Sequence, residues 1–202
     1  CAVTEFTPMS MLKSIKKHAG KRVIVAGCMA AAQPYLLEGL KDVSIMPAPG
    51  ADEVAQALGI APARGTPSVN GTTAVISIAE GCMGRCSYCI VRRVRGPLRS
   101  VPADTVVGSV KHALDMGAKE IFLTAQDTGA YGLDTGKRLP ALMSDVLRLD
   151  GDYRVRLGMM NPFSIADIID SLTAVFNDPR VYKFAHIPVQ SGSDRILRLM
   201  ER

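Results

Sequence analysis

Three cysteines stand within eight residues in "CMGRCSYC": Cys82, Cys86 and Cys89, spaced C-x3-C-x2-C, with Arg92, Arg93, Arg95 and Arg99 close behind. So short a loop can turn all its sulfurs to one side and close them on a single metal centre. Zinc would require a fourth ligand to complete its tetrahedron. The available histidines, His112 within a helical pattern and His186 at the end of a strand pattern, have no finger-like spacing. Ferredoxin clusters use four cysteines, so a four-iron cluster on three thiolates would keep one iron open to a substrate or cofactor. The bland alternative is three reduced structural cysteines without metal. The arginines suit a phosphate backbone or a carboxylate, or else a solvated loop.

The remaining cysteines, Cys1 and Cys28, bring the total to an odd five in 202 residues, and no secretory signal is expected. A disulfide framework is therefore disfavoured, and a reducing, cytoplasmic setting is expected. No apolar run is long enough to span a bilayer, so no membrane partner is expected. The formal net charge of +5 permits a polyanionic partner without establishing one. The chain opens on Cys1 and closes on "RLMER" inside a helical pattern, which reads as a piece of a longer protein.

Positioning such a loop requires a scaffold, and the pattern is α/β throughout. "FTPMSMLKSIKKHAG" reads as a helix with Thr7 as N-cap and Pro8 in the first position. "RVIVAGC" reads as a strand, "QPYLLEGLKD" as a helix, "VSIM" as a strand and "ADEVAQALG" as a helix. The Pro- and Gly-bearing stretch that follows marks a boundary, giving a first domain over 1–62, a linker over 63–72 and a second domain over 73–202. In the second domain "TAVISIAE" is a strand running into the cysteine loop, and "ADTVVGSVKHALDMGA" is a helix closed by Gly117. The strands "KEIFLTAQDTG", "YRVRLGMMNP" and "VYKFAHIPVQSGSD" then alternate with the helices "LPALMSDVLRL", "SIADIIDSLTAVF" and "SDRILRLMER". Repeated strand–helix pairs imply parallel strands with right-handed crossovers.

In such folds chemistry gathers at the C-terminal ends of the strands. The cysteine loop, "AQDTGAYG", "GMMNP" and "PVQSGSD" should therefore share one rim. Gln126, Asp127, Asn161, Gln190 and Ser191 stand in those loops, where a bland reading is loop solvation or turn chemistry. Ser193 also reads as a helix N-cap, His186 as a core histidine in preference to a donor to a cofactor, and Arg156 in its strand as a cofactor contact or a salt-bridged residue. Cys28, after an apolar strand, reads by itself as a buried core cysteine.

"CMGRCSYC", with an aromatic before its last cysteine, resembles the signature of the radical S-adenosylmethionine enzymes. The resemblance implies that Cys82, Cys86 and Cys89 bind a [4Fe-4S] cluster whose open iron is chelated by S-adenosylmethionine, with Tyr88 near the adenine. Reductive cleavage of that cofactor to a 5′-deoxyadenosyl radical would follow. Gln126, Asp127, Arg156 and Gln190 are the cofactor contacts the resemblance implies.

"CAVTEFT", "VIVAGCMAAAQP", "EGCMGRCSYCIVRRVRG", "AQDTGAYG" and "HIPVQSGSDRILRLM" resemble, in order, blocks of the methylthiotransferases across nearly the whole chain. That family implies a partial Rossmann-like N-terminal domain followed by the first half of a radical-enzyme (β/α) partial barrel. It also implies that Cys1 and Cys28 match two of the three ligands of a second cluster, the third lying upstream. "TAQDTGAYG" with "RLGMMNP" looks most like the archaeal and eukaryotic branch that methylthiolates threonylcarbamoyladenosine 37 of tRNA. In that chemistry one cofactor opens C2 and a second methylates the inserted sulfur. Sister branches act on isopentenyladenosine tRNA or a ribosomal-protein aspartate, and a non-catalytic iron–sulfur protein is the alternative from a different class. The expected partner is tRNA, met by Arg92, Arg93, Arg95 and Arg99. The sulfur and electron donors carry no signature in the sequence.

Overall fold

The computed structural model describes residues 6–47, 51–61 and 68–202. Contacts divide the chain into two compact units, one of residues 1–64 with 89–96, the other of residues 65–88 with 97–202. The segment 89–96, read from sequence as part of the second domain, thus groups with the first unit.

In the smaller unit helix α1 (Phe6–Lys17) precedes strand β1 (Val23–Ala26), helix α2 (Cys28–Ala32), strand β2 (Val43–Met46) and helix α3 (Ala51–Leu58). The β-branched run of β1 pairs in parallel with β2, from Val23 opposite Val43 to Ala26 opposite Met46. Met11, Leu12 and Ile15, at helical spacing on α1, pack on a core of Val25, Met29, Ala30 and Leu37. Lys16 and Lys17 in the last turn of α1 suit the negative end of its dipole.

The helix expected over "QPYLLEGLKD" is reduced to a 3₁₀ turn, Pro34–Leu37, and the short α2 forms just before it. Pro34 offers no N–H and pushes Gln33 out of helical geometry, to φ −137°, so α2 stops at Ala32. Cys28 accordingly opens a helix and does not close the strand. The arginine stretch, expected as loop, forms helix α4 (Val91–Arg95), which packs against α2 with Val94 buried.

The larger unit is built on a four-stranded sheet in the order β3–β4–β7–β8, with a separate antiparallel pair, β5–β6. Its strands are β3 (Ser68–Asn70), β4 (Thr73–Ser77), β5 (Ala79–Glu80), β6 (Arg99–Ser100), β7 (Glu120–Thr124) and β8 (Arg154–Leu157). Its helices are α5 (Ala103–Asp115), α6 (Leu139–Val146), α7 (Pro162–Ile165), α8 (Ile169–Phe176) and α9 (Asp194–Leu199). The described end of the expected linker is β3, folded back on β4 through Gly71 at φ +60°.

Strands β4, β7 and β8 run parallel, with Val75, Phe122 and Arg156 in register. Alternation sends Ala74, Ile76, Ile121, Leu123, Val155 and Leu157 into a core with Val110 of α5, Leu142 and Val146 of α6, and Leu172 of α8. Each fully buried Leu or Ile contributes about 1.5–3 kcal/mol. Tyr153 joins that core with its hydroxyl donating to the Val146 carbonyl at 2.7 Å. The opposite sheet face stays open, with Val75, Arg154 and Arg156 exposed.

The expected fourth strand runs parallel to β8 but does not complete a ladder. Val155 pairs with Val181 as an isolated bridge, and the next bond runs from Met160 N–H to the His186 carbonyl. In parallel geometry that second bond sets Ile187 opposite Met160. The outer segment has therefore gained one residue between the two points, as at a bulge, and the ladder is interrupted there.

The loop after β7 turns sharply at Gly132, whose φ is +78° and where an added Cβ would lie 1.9 Å from the Lys137 carbonyl oxygen. Gly136, at φ +91°, has open space in the same place. Gly132→Ala is expected to cost more than about 3 kcal/mol and Gly136→Ala about 1–2 kcal/mol. Urea unfolding of the two variants against the parent measures the difference, which isolates the collision from the backbone conformation.

Candidate functional site

Within the larger unit the parallel register gathers the C-terminal ends of β4, β7 and β8 on one rim, and the bonds between their loops close it. Gln126, just past β7, accepts from the Gly81 N–H with its Oε1 at 2.7 Å and so ties down the start of the cysteine loop. Asp127, 1 % exposed, binds the loop after β7 to the loop after β8. Its Oδ1 accepts from the Gly129 N–H at 3.1 Å and the Asn161 N–H at 3.0 Å. Its Oδ2 accepts from Asn161 Nδ2 at 2.9 Å and Ser164 Oγ at 2.6 Å. The Met160–His186 bond then carries the rim on to the fourth segment.

The sulfurs of Cys82 and Cys86, both half-buried, flank Gly84. An added Cβ at Gly84 would stand 3.3 Å from Cys82 Sγ, 3.6 Å from Cys86 Sγ and 3.6 Å from Phe163 Cζ. A side chain there would wedge between the two sulfurs, so the bare glycine leaves them a shared space. The Gly84 N–H points at Cys82 Sγ at 3.3 Å, a donor suited to a thiolate. Ser87 is anchored by its N–H to the Met200 carbonyl at 3.0 Å and by its hydroxyl to the Leu199 carbonyl at 3.0 Å. On Cys86 Sγ the Arg202 guanidinium closes to 3.8 Å, while the same side chain donates to Asn161 Oδ1 and, at 2.6 Å, to the Pro188 carbonyl.

Cys89 is exposed and Tyr88 half-exposed. Among the described residues no group of three or more His, Cys, Asp or Glu side chains is already drawn together at metal-binding distance. The donor set itself suits iron: soft thiols on a short loop, with a backbone amide turned toward one sulfur. Cys28 is half-buried at the start of α2, and Cys1 lies outside the described residues.

Arg156 projects from the open face of β8 between two rings, 5.1 Å from the centre of Phe122 and 4.9 Å from that of Phe184. Among the described residues its guanidinium is stacked and makes no salt bridge, which leaves its edge donors open. Gln190 is exposed and held at φ +66°, a left-handed conformation that costs a non-glycine residue about 1–3 kcal/mol. His186, expected in the core, is exposed, because the interrupted ladder leaves its segment on the open side. Ser193 is the N-cap position of α9 but its hydroxyl makes no capping bond. Of the arginines, Arg92, Arg93 and Arg95 are exposed on α4, whereas Arg99 meets Glu80 at 3.5 Å.

The sequence places Asn161 on the rim but gives no sign of its partner, and it offers no signal for Ser164 or Arg202. The signal for Asn161 was Asn161-Pro162, which reads as turn chemistry; the carboxylate that claims its amide is 34 residues away in sequence.

The cysteine loop on the rim of a parallel sheet is the arrangement of an iron–sulfur enzyme built on βα units. A model of the radical SAM superfamily matches residues 76–202, more than half the chain, and the chain belongs to that superfamily. Membership implies a [4Fe-4S] cluster and S-adenosylmethionine. Among individual proteins, a "probable threonylcarbamoyladenosine tRNA methylthiotransferase" of Pyrococcus abyssi is 37% identical, over all of this chain and 52% of its own length. A protein of the same printed name from Methanothermobacter thermautotrophicus is 36% identical, with 53% of it covered. The human "threonylcarbamoyladenosine tRNA methylthiotransferase" is 35% identical, with 39% of it covered. The chain thus spans about half the length of these archaeal relatives and less of the human one. No helix among the described residues is long and apolar enough to cross a membrane.

Replacing the Asp127 carboxylate by an amide turns an NH₂ toward groups that are themselves donors. Asp127→Asn is therefore expected to destabilise the protein by about 2–3 kcal/mol, and Gln126→Ala, which frees one half-buried amide, by about 1 kcal/mol. Chemical denaturation midpoints give both values.

Proposed function

We propose that this chain is the cluster-bearing part of a tRNA methylthiotransferase, which replaces the C2 hydrogen of threonylcarbamoyladenosine 37 by a methylthio group. The observation that carries the reading is the pair of sulfurs on either side of Gly84 at the rim of the parallel sheet. The names of the archaeal and human relatives support the substrate. In this reading the larger unit is the first half of a (β/α) partial barrel, and the smaller is part of a Rossmann-like domain. A cytoplasmic enzyme is the setting that suits reduced thiols.

Cys82, Cys86 and Cys89 would hold the cluster, which with S-adenosylmethionine supplies one-electron reductive cleavage of a carbon–sulfur bond. The chain's own residues then bind and orient. Gln126 fixes the entry to the cysteine loop. Asp127, its oxygens engaged by four donors, positions Asn161 beside the loop and does not itself reach for the cofactor. Arg156, stacked and with open donors, suits a carboxylate, and Tyr88 and Gln190 offer an exposed ring and amide for the rest of the cofactor. Cys28, with Cys1, is assigned to a second cluster that serves sulfur insertion. Arg92, Arg93 and Arg95 would meet the phosphates of the anticodon arm. Arg99 has its charge shared with Glu80 and contributes less.

Loading with iron and sulfide under anaerobic conditions should give charge-transfer absorbance that Cys82→Ala, Cys86→Ala or Cys89→Ala each abolishes. Dithionite-reduced protein should then release 5′-deoxyadenosine from S-adenosylmethionine. Zinc bound with full sulfur coordination in place of iron would defeat the assignment. A higher rate of methylthiolation on isopentenyladenosine tRNA or a ribosomal-protein aspartate than on threonylcarbamoylated tRNA would move the protein to a sister branch.

For the arginines the expectation is quantitative. Changing Arg92 and Arg93 together to Gln should weaken binding of all tRNAs alike and lower the slope of log K against log salt by about 1–2. Filter binding over a salt series measures it, and a sequence-dependent loss would contradict a phosphate role.

A further inference from the structure

Arg202, half-buried, is held by an amide oxygen and a backbone carbonyl, and the amide has its own direction fixed by a further side chain. The Asp127 carboxylate accepts and cannot donate, so it captures the NH₂ end of the Asn161 amide, Nδ2 to Oδ2 at 2.9 Å. That choice turns Asn161 Oδ1 outward, where it accepts from Arg202 Nη1. The Pro188 carbonyl takes Arg202 Nη2 at 2.6 Å. Between these two acceptors the guanidinium is held with Nη1 3.8 Å from Cys86 Sγ. Neither acceptor carries a charge, so the arginine's full positive charge is left facing the sulfur.

We infer that Arg202 is a positioning residue for the cluster, oriented by Asn161 and through it by Asp127, and that its charge beside Cys86 raises the cluster's reduction potential. The inference rests on the assignment of the cysteine loop to a cluster. A cation and a donor at a ligating sulfur favour the more negative, reduced state, and charge and hydrogen bonding to sulfur are levers by which proteins set such potentials.

The test is a redox titration of the anaerobically reconstituted protein, followed by the electron paramagnetic resonance of the reduced cluster. Arg202→Gln should shift the midpoint to a more negative value, and Arg202→Lys, which keeps the charge, should stay near the parent. Asn161→Ala should shift it in the same direction as Arg202→Gln but less far, with iron content equal to the parent. If Asn161→Ala does not fold, the Arg202 pair decides alone. A midpoint in Arg202→Gln equal to the parent's, or equal shifts for Gln and Lys, overturns the inference while normal cluster loading leaves the proposed function standing. Failure of the parent to load a cluster on Cys82, Cys86 and Cys89 removes both.

Discussion

Everything on the rim of the larger unit depends on one buried carboxylate. Asp127 is almost inaccessible, and an unpaired charge in that position would be costly enough to unfold a marginal domain. The cost is met by four donors drawn from three places: the turn that follows it, the backbone and side chain of Asn161, and Ser164 in α7. Because the charge is tolerated only with those donors in place, the loops after β7 and β8 cannot drift apart separately. Gln126 extends the tie to the cysteine loop in the other direction. A hydrophobic residue in place of Asp127 would remove the desolvation cost but leave two backbone N–H groups and an amide without acceptors.

Close packing supports the same geometry from beneath. An added Cβ at Gly129 would come within 2.5 Å of Ile165 Cγ2, and one at Gly158 within 3.0 Å of Thr128 Cγ2 and 3.2 Å of the Leu123 carbonyl. On the rim, then, a methyl has no room at Gly129 and only tight room at Gly158 and, between the cysteine sulfurs, at Gly84. The two faces of the sheet divide the remaining work. One is sealed by α5, α6 and α8, and the other leaves Arg156 stacked between Phe122 and Phe184 with its edge turned to solvent.

Much of this was legible in the residues. The alternation in β4, β7 and β8, the helix ended by Gly117 and the βα order that sets the loops on one rim all follow from local periodicity and turn chemistry. The cysteine spacing named the chemistry. What local pattern could not show was where an interaction joins distant positions. Asn161 reads as a turn residue until Asp127 is seen to claim its amide, and Asp127 reads as an exposed polar residue until burial is known. "VYKFAHIPVQ" has strand composition, yet a residue gained against β8 interrupts its ladder and leaves His186 on the exposed side. Pro34 was in plain sight, but the periodicity of "QPYLLEGLKD" outweighed it in the reading, and the chain obeyed the proline.

The arginines illustrate how structure sorts residues that composition treats alike. "VRRVRGPLR" reads as one basic stretch, but its members have different fates. Arg99 lies in β6, the strand paired with β5, and there meets Glu80 across the ladder. Arg92, Arg93 and Arg95 lie on α4, whose buried Val94 turns toward α2 and leaves the neighbouring positions to solvent. An arginine already sharing its charge has less to gain from a phosphate, because the new contact must compete with the old one. Exposed arginines on a short helix keep their full charge and displace only counterions and water. Arg202 is the opposite case, with its charge confined by neutral acceptors and directed at a sulfur. Among these arginines the same side chain thus meets a carboxylate at Arg99, solvent on α4, and neutral acceptors beside Cys86 at Arg202. What separates them is the set of acceptors each one meets.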